Sequence, residues 1–115
     1  MKRIALLLCG LLVASAVAFA HPPSDIKIQF DVKTQTLNAV IAHRVSNPLT
    51  HYIFKVDIGL NGKEIQSLSF TKQATNREQL ASADLSGVKV GDTLSVEGYC
   101  NLSGKLKKEI KVVSP

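Results

Sequence analysis

Three observations predict an all-β fold, a seven-stranded antiparallel β-sandwich of immunoglobulin-like type. Apolar side chains recur at every second position in seven separate stretches. Turn-forming residues divide those stretches at intervals of about 8–12 residues, the spacing of a sandwich of short strands. Beyond the first 20 residues, no stretch carries apolar side chains at the helical period.

Residues 1–20 stand apart from that pattern. Lys2 and Arg3 begin the chain, Ile4 to Ala18 is almost wholly apolar and small, and Ala18-Phe19-Ala20 has the small-x-small form of a cleavage site. These are the parts of a secretory signal, too short and wrongly flanked for a spanning helix. Cys9 is not preceded by the small residue a lipid-modified cysteine needs, since Leu8 stands there. The expectation is a periplasmic protein that starts at His21, forms one domain over residues 21–115 and has no membrane attachment after cleavage.

The strands then follow in order. Ile26, Ile28, Phe30 and Val32 alternate with Lys27, Gln29 and Asp31, which marks a half-buried first strand. Lys33-Thr34-Gln35 turns it into the second, Leu37 to Ala42. A polar, proline-bearing loop from His43 to His51 leads to the third, Tyr52 to Leu60, with Tyr52, Phe54, Val56 and Ile58 on one face. Asn61-Gly62 is the sharpest hairpin signal, because both central residues of such a turn need positive φ. The fourth strand is Glu64 to Phe70, and the polar loop Thr71 to Arg77 precedes a short fifth, Gln79 to Ala83. Gly91-Asp92 turns into the sixth, Thr93 to Cys100, which puts Leu94, Val96, Gly98 and Cys100 on one face. The seventh is Lys105 to Val113, after the Asn101 to Gly104 turn. Its crowding with Lys105, Lys107, Lys108 and Lys111 fits an edge strand protected from pairing with another chain.

Composition removes several functions. Loss of residues 1–20 takes Lys2 and Arg3 with it, so the formal charge falls from +5 to +3. There is no Trp, and the aromatic residues are not interleaved with basic ones, so no nucleic-acid partner is expected. No catalytic triad, phosphate loop or paired-carboxylate site is present, and no residue is assigned a catalytic role.

Cysteine and histidine carry what remains. With Cys9 removed, Cys100 is the sole cysteine of an exported chain. Its thiol has three roles open in an oxidising compartment: a buried inert group, a bridge to another chain, or a metal ligand. Strand direction bears on the choice. If successive strands alternate, His21 precedes strand one, His43 ends strand two, His51 begins strand three and Cys100 ends strand six, all at one rim. Imidazole is the commonest metal ligand among side chains, and the alternative for each ring is to cap a strand end. Metal ligands are therefore expected at His21, His43, His51 and Cys100.

An early His21-Pro22, a Ser46-Asn47-Pro48 loop from His43 to His51-Tyr52-Ile53, and Tyr99-Cys100-Asn101 before Gly104 resemble the desulfoferrodoxin family. The resemblance implies an immunoglobulin-like superoxide reductase domain holding mononuclear iron by four histidines and an axial cysteine. It matches His43 and His51 to the middle two histidines, His21 to the first and Cys100 to the axial thiolate. Ser103 stands where the fourth histidine belongs, the His43–His51 loop is longer than the family's, and nothing corresponds to its lysine-bearing stretch. The implied activity is one-electron reduction of superoxide to peroxide by ferrous iron, which needs an external electron donor. Two alternatives accompany it. The His…His-Tyr-Ile and Asn-Gly-Lys layout is also similar to the carrier-partner subunits of periplasmic sulfur oxidation, which implies a protein partner. The N-terminal histidine also suits a copper-binding periplasmic sandwich.

Overall fold

The structure, a computed structural model, describes residues 21–115; the secretory signal expected over residues 1–20 lies outside the described residues. Seven strands form: β1 (Asp25–Asp31), β2 (Thr36–Ala42), β3 (Ile53–Leu60), β4 (Lys63–Ser69), β5 (Glu78–Asp84), β6 (Thr93–Cys100) and β7 (Lys105–Lys111). All pairings are antiparallel, in a three-stranded sheet ordered β1-β2-β5 and a four-stranded sheet ordered β4-β3-β6-β7. The expected all-β sandwich forms. Its fourth strand hairpins back onto β3 through Asn61 (φ 51°) and Gly62 (φ 87°), so β4 does not join β5 as it would in an antibody constant domain. Among the described residues no helix is long and apolar enough to cross a membrane.

The alternation read from sequence becomes the core. Ile26, Leu37, Ala39, Ile41, Ala81 and Ala83 from one sheet meet Ile53, Val56, Ile58, Leu94 and Val96 from the other. Removing a large buried side chain such as Ile58 would cost about 2–5 kcal/mol, since the lost contacts leave a cavity. Val112 continues this packing past the end of β7 and is buried, although the regular strand stops at Lys111.

One departure from simple alternation matters for function. The expected inward face of β3 was Tyr52, Phe54, Val56 and Ile58. Instead Ile53 is fully buried and Phe54 is 39% exposed. The register against β6 shifts between Ile53 and Lys55, where Ile53 faces Cys100 and Lys55 faces Tyr99, so Phe54 is the extra residue of a β-bulge. A bulge reverses the in-and-out parity on one side of itself. Val56 and Ile58 keep their places inside, while Ile53, and His51 two residues before it, turn inward.

The rim predicted by strand direction is also present. Asp25 at the start of β1 pairs with Ala42 at the end of β2, and Ile53 at the start of β3 pairs with Cys100 at the end of β6. The Asn61-Gly62 hairpin and the start of β6 form the opposite end, joined by the Asn61 N–H donating to the Thr93 carbonyl at 2.8 Å.

Candidate metal centre

Each histidine is delivered by a different local device. His43 continues the buried stripe of β2: Leu37, Ala39, Ile41, His43 and Val45 are all buried, one every second residue. The strand geometry persists beyond Ala42 because the His43 N–H donates to the Arg77 carbonyl at 2.9 Å and the Val45 N–H to the Asn76 carbonyl at 2.8 Å. A ring in that stripe has to enter the interior, and His43 is only 1% exposed.

His51 closes a compact turn. Asn47 accepts the Leu49 N–H on its side-chain oxygen at 3.0 Å, and its carbonyl accepts the N–H groups of Thr50 (3.2 Å) and His51 (3.0 Å). Asn101 holds both neighbours of His51: its side-chain oxygen accepts the Tyr52 N–H at 2.8 Å and its amide donates to the Thr50 carbonyl at 3.1 Å. Together with the bulge at Phe54, this aims the ring toward His43.

His21 rides on two prolines, whose fixed φ lowers the entropy lost when the segment docks. Pro23 is buried. Its Cγ lies 3.7 Å from the place a side chain would take at Gly98, and Pro22 lies over Gly104, where a Cβ would come within 2.8 Å of it. Two glycines thus make the bed for the segment that carries His21.

The three rings converge. Ring centroids are 4.8 Å apart for His21 and His43, 5.1 Å for His21 and His51, and 4.9 Å for His43 and His51. One nitrogen from each lies within 4.8 Å of the others, so these histidines can hold a metal ion. Nitrogens about 2.0–2.1 Å from one tetrahedral ion stand about 3.4 Å apart, so ring rotations close the remaining gap. His51 Nε2 is buried without a hydrogen-bond partner, the one such side-chain nitrogen or oxygen among the described residues. A buried polar atom left in that state loses its water for nothing in return, unless a ligand takes the lone pair.

The electrostatics favour lone pairs over protons. Burial is the first cause holding the pKa of His43 below the ordinary imidazole value; bonds to Gln73 and the His21 carbonyl act in the opposite direction. Burial also lowers His51, and positive charge on His43 or His21 lowers it further. Neutral imidazole is the form that binds a metal. Beside the rings an open hollow is lined by Arg44, Ser46, Asn47, Thr50 and Leu102, with no carboxylate in its wall.

The structure leaves Cys100 outside this group, which contains His21, His43 and His51 alone. Cys100 follows Leu94, Val96 and Gly98 on the buried inner face of β6 and is itself a buried free thiol. Ser103, in the turn after it, is exposed. Sequence reasoning missed Gln73. This residue is 3% exposed in the loop before β5, and its side-chain oxygen lies 2.8 Å from His43 Nδ1. Nothing in the run Thr71 to Arg77 distinguishes that glutamine from a solvated one.

Comparisons with protein-family models, with curated proteins and with solved structures find no match for this chain.

Proposed function

We propose that this chain is a periplasmic metal-binding protein that holds one transition-metal ion through His21, His43 and His51. The observation that carries the reading is the unpartnered, buried Nε2 of His51 beside two other imidazoles whose nitrogens lie within 4.8 Å. Three neutral imidazoles suit zinc, copper or iron, and on such a site affinity rises from iron to zinc to copper. With no carboxylate or thiolate in the group, a bound ion would keep its charge and would have the hollow beside Arg44 next to it for a further ligand. Such an ion supplies Lewis acidity or, for copper and iron, one-electron chemistry. The protein's part is to exclude protons from the rings and to fix their directions.

Iron-dependent superoxide reduction is the second reading, supported by the placement of Cys100. It pairs with Ile53, two residues from His51, and its N–H donates to the Gly104 carbonyl at 2.9 Å, beneath the segment carrying His21. In that reading the Cys100 thiol would have to turn to the rim to join the histidines, and Ser103 would supply no imidazole. A protein partner of the sulfur-carrier kind is the reading left if no metal binds.

Metal analysis of untagged protein from the periplasm separates these readings. One equivalent of copper or zinc, lost in His51→Ala, is the expected result. One equivalent of iron with a thiolate absorption band that Cys100→Ser abolishes would favour the second. Metal-free protein that takes up none of the three ions would overturn both.

A further inference from the structure

We propose that Gln73 is the positioning residue that sets the tautomer of His43, so that the buried ring offers Nε2 and never Nδ1 to a ligand. The consequence for metal binding rests on the reading above; the tautomer itself belongs to the metal-free protein.

The orientation of the Gln73 side chain is fixed by four contacts. Its amide nitrogen donates to the His43 carbonyl at 2.7 Å and to the Thr75 carbonyl at 3.0 Å. Its oxygen accepts the Ile53 N–H at 3.2 Å and faces His43 Nδ1 at 2.8 Å. Exchanging the two ends would set oxygen against two carbonyls and the NH2 group against a backbone N–H. The oxygen therefore points at His43, and an amide oxygen only accepts, so Nδ1 must carry the proton. A neutral imidazole has one N–H. Nε2 is left with its lone pair, on the side of the ring where the His21 carbonyl stands.

The other neighbour of Nε2 gives an independent sign. The His21 carbonyl lies 3.3 Å from it, a longer contact than that between Gln73 and Nδ1. Two acceptors flank a ring with one proton, and the nearer acceptor takes it. The contact with His21 is then lone pair against lone pair, which a cation between the rings relieves.

Gln73 also joins the pieces that must move together. Its side chain grips both the ring and the carbonyl of His43, and it takes the N–H of Ile53, the residue that the bulge turns inward with His51. Its own N–H donates to the Pro48 carbonyl in the turn before His51 at 3.0 Å. One residue in a loop between β4 and β5 thereby ties the segment of His43 to the two segments that flank His51. Partners that fix ring orientation in this way are typically worth 10–100-fold in metal affinity.

The test is two-bond 1H–15N correlation of the histidine rings in metal-free protein at pH 8. For the native chain the expected result is a protonated Nδ1 and an unprotonated Nε2 on His43; the reverse assignment overturns the proposal. In Gln73→Met the remaining acceptor for the ring is the His21 carbonyl, so the proton should shift toward Nε2 and metal dissociation should rise about 10–100-fold. An unchanged tautomer in a folded Gln73→Met protein would also overturn the proposal, and the native spectrum decides the matter if that variant does not fold. A native protein with the expected tautomer and no metal affinity would count against the metal reading while leaving Gln73's hold on the ring in place.

Discussion

The two ends of the sandwich are built on different plans. At the far end, two turns are tied to each other by bonds among exposed groups. Asn61 donates its amide to Asp92 at 3.1 Å and accepts the Thr93 N–H at 2.9 Å, while Asp92 accepts the Lys89 N–H at 2.8 Å. At the histidine rim, long loops are tied down by the amides of Gln73 and Asn101, and one buried nitrogen is left without a partner. A turn needs only to reverse the chain, and bonds among solvent-exposed groups suffice. A site has to hold several side chains from distant segments in one geometry, and part of its bonding capacity is kept for a ligand.

The largest effect should come from removing a ring. His51→Ala deletes one of the three proposed ligands and should weaken zinc or copper binding by more than about 100-fold, beyond the range for residues that only orient ligands. Asn61→Ala at the far end should leave metal affinity unchanged. Titrating both proteins against a competing chelator checks the contrast.

A matched pair of glycines sharpens it. Gly62 and Gly104 have nearly the same φ, 87° and 88°. A methyl group at Gly62 meets nothing within 4 Å, whereas at Gly104 it comes within 2.8 Å of Pro22. Each alanine should cost about 1–2 kcal/mol for the left-handed backbone, read by urea unfolding. Gly104→Ala alone should also loosen metal binding, by about 10-fold, because displacing Pro22 displaces His21. Equal metal affinity in the two variants would mean that the His21 segment is not held where the structure puts it.

Acid should reach the two ends in separate pH windows. His43 and His51 are lowered from 6.5, chiefly by burial, so the folded rings stay neutral while the unfolded ones gain protons. Stability of the metal-free protein is then fully present above about pH 6.5 and falls as pH drops below it. Asp92 is lowered from 3.8, first by the Lys89 backbone N–H, so its contribution is present above that value and lost only as pH falls through its folded pKa. Urea unfolding from pH 8 to pH 3 should show the upper loss first; a flat profile between pH 7 and pH 5 would contradict the burial of neutral rings.

The smallest effect is expected at Cys100. Because it lies outside the histidine group, Cys100→Ala should leave copper or zinc affinity unchanged in the same chelator competition. A loss as large as that of His51→Ala would make the thiol a ligand.

Much of this was legible in the sequence, and the exceptions share a cause. The period of two running from Leu37 through His43 foretells the burial of that ring, because a side chain in a buried stripe has no other place to go. Counting strand directions brings His21, His43 and His51 to one rim without any knowledge of contacts. The bulge at Phe54 could not be read this way, since Tyr52-Ile53-Phe54 is apolar at every position and fits either parity. Gln73 was hidden because its role depends on three segments distant in sequence. A strand count also brings Cys100 to this rim, but it locates only the end of β6 and does not say that the thiol there is buried and outside the group of three rings. The packing of Pro22 on Gly104 likewise exists only in three dimensions.

X-ray absorption at the metal edge of the loaded native protein tests the central claim most directly. The histidine rim predicts imidazole nitrogens at about 2.0–2.1 Å, three of them from the protein, and no sulfur. A sulfur shell near 2.3 Å would put Cys100 on the metal and contradict the three-histidine site, as would a spectrum without imidazole scattering.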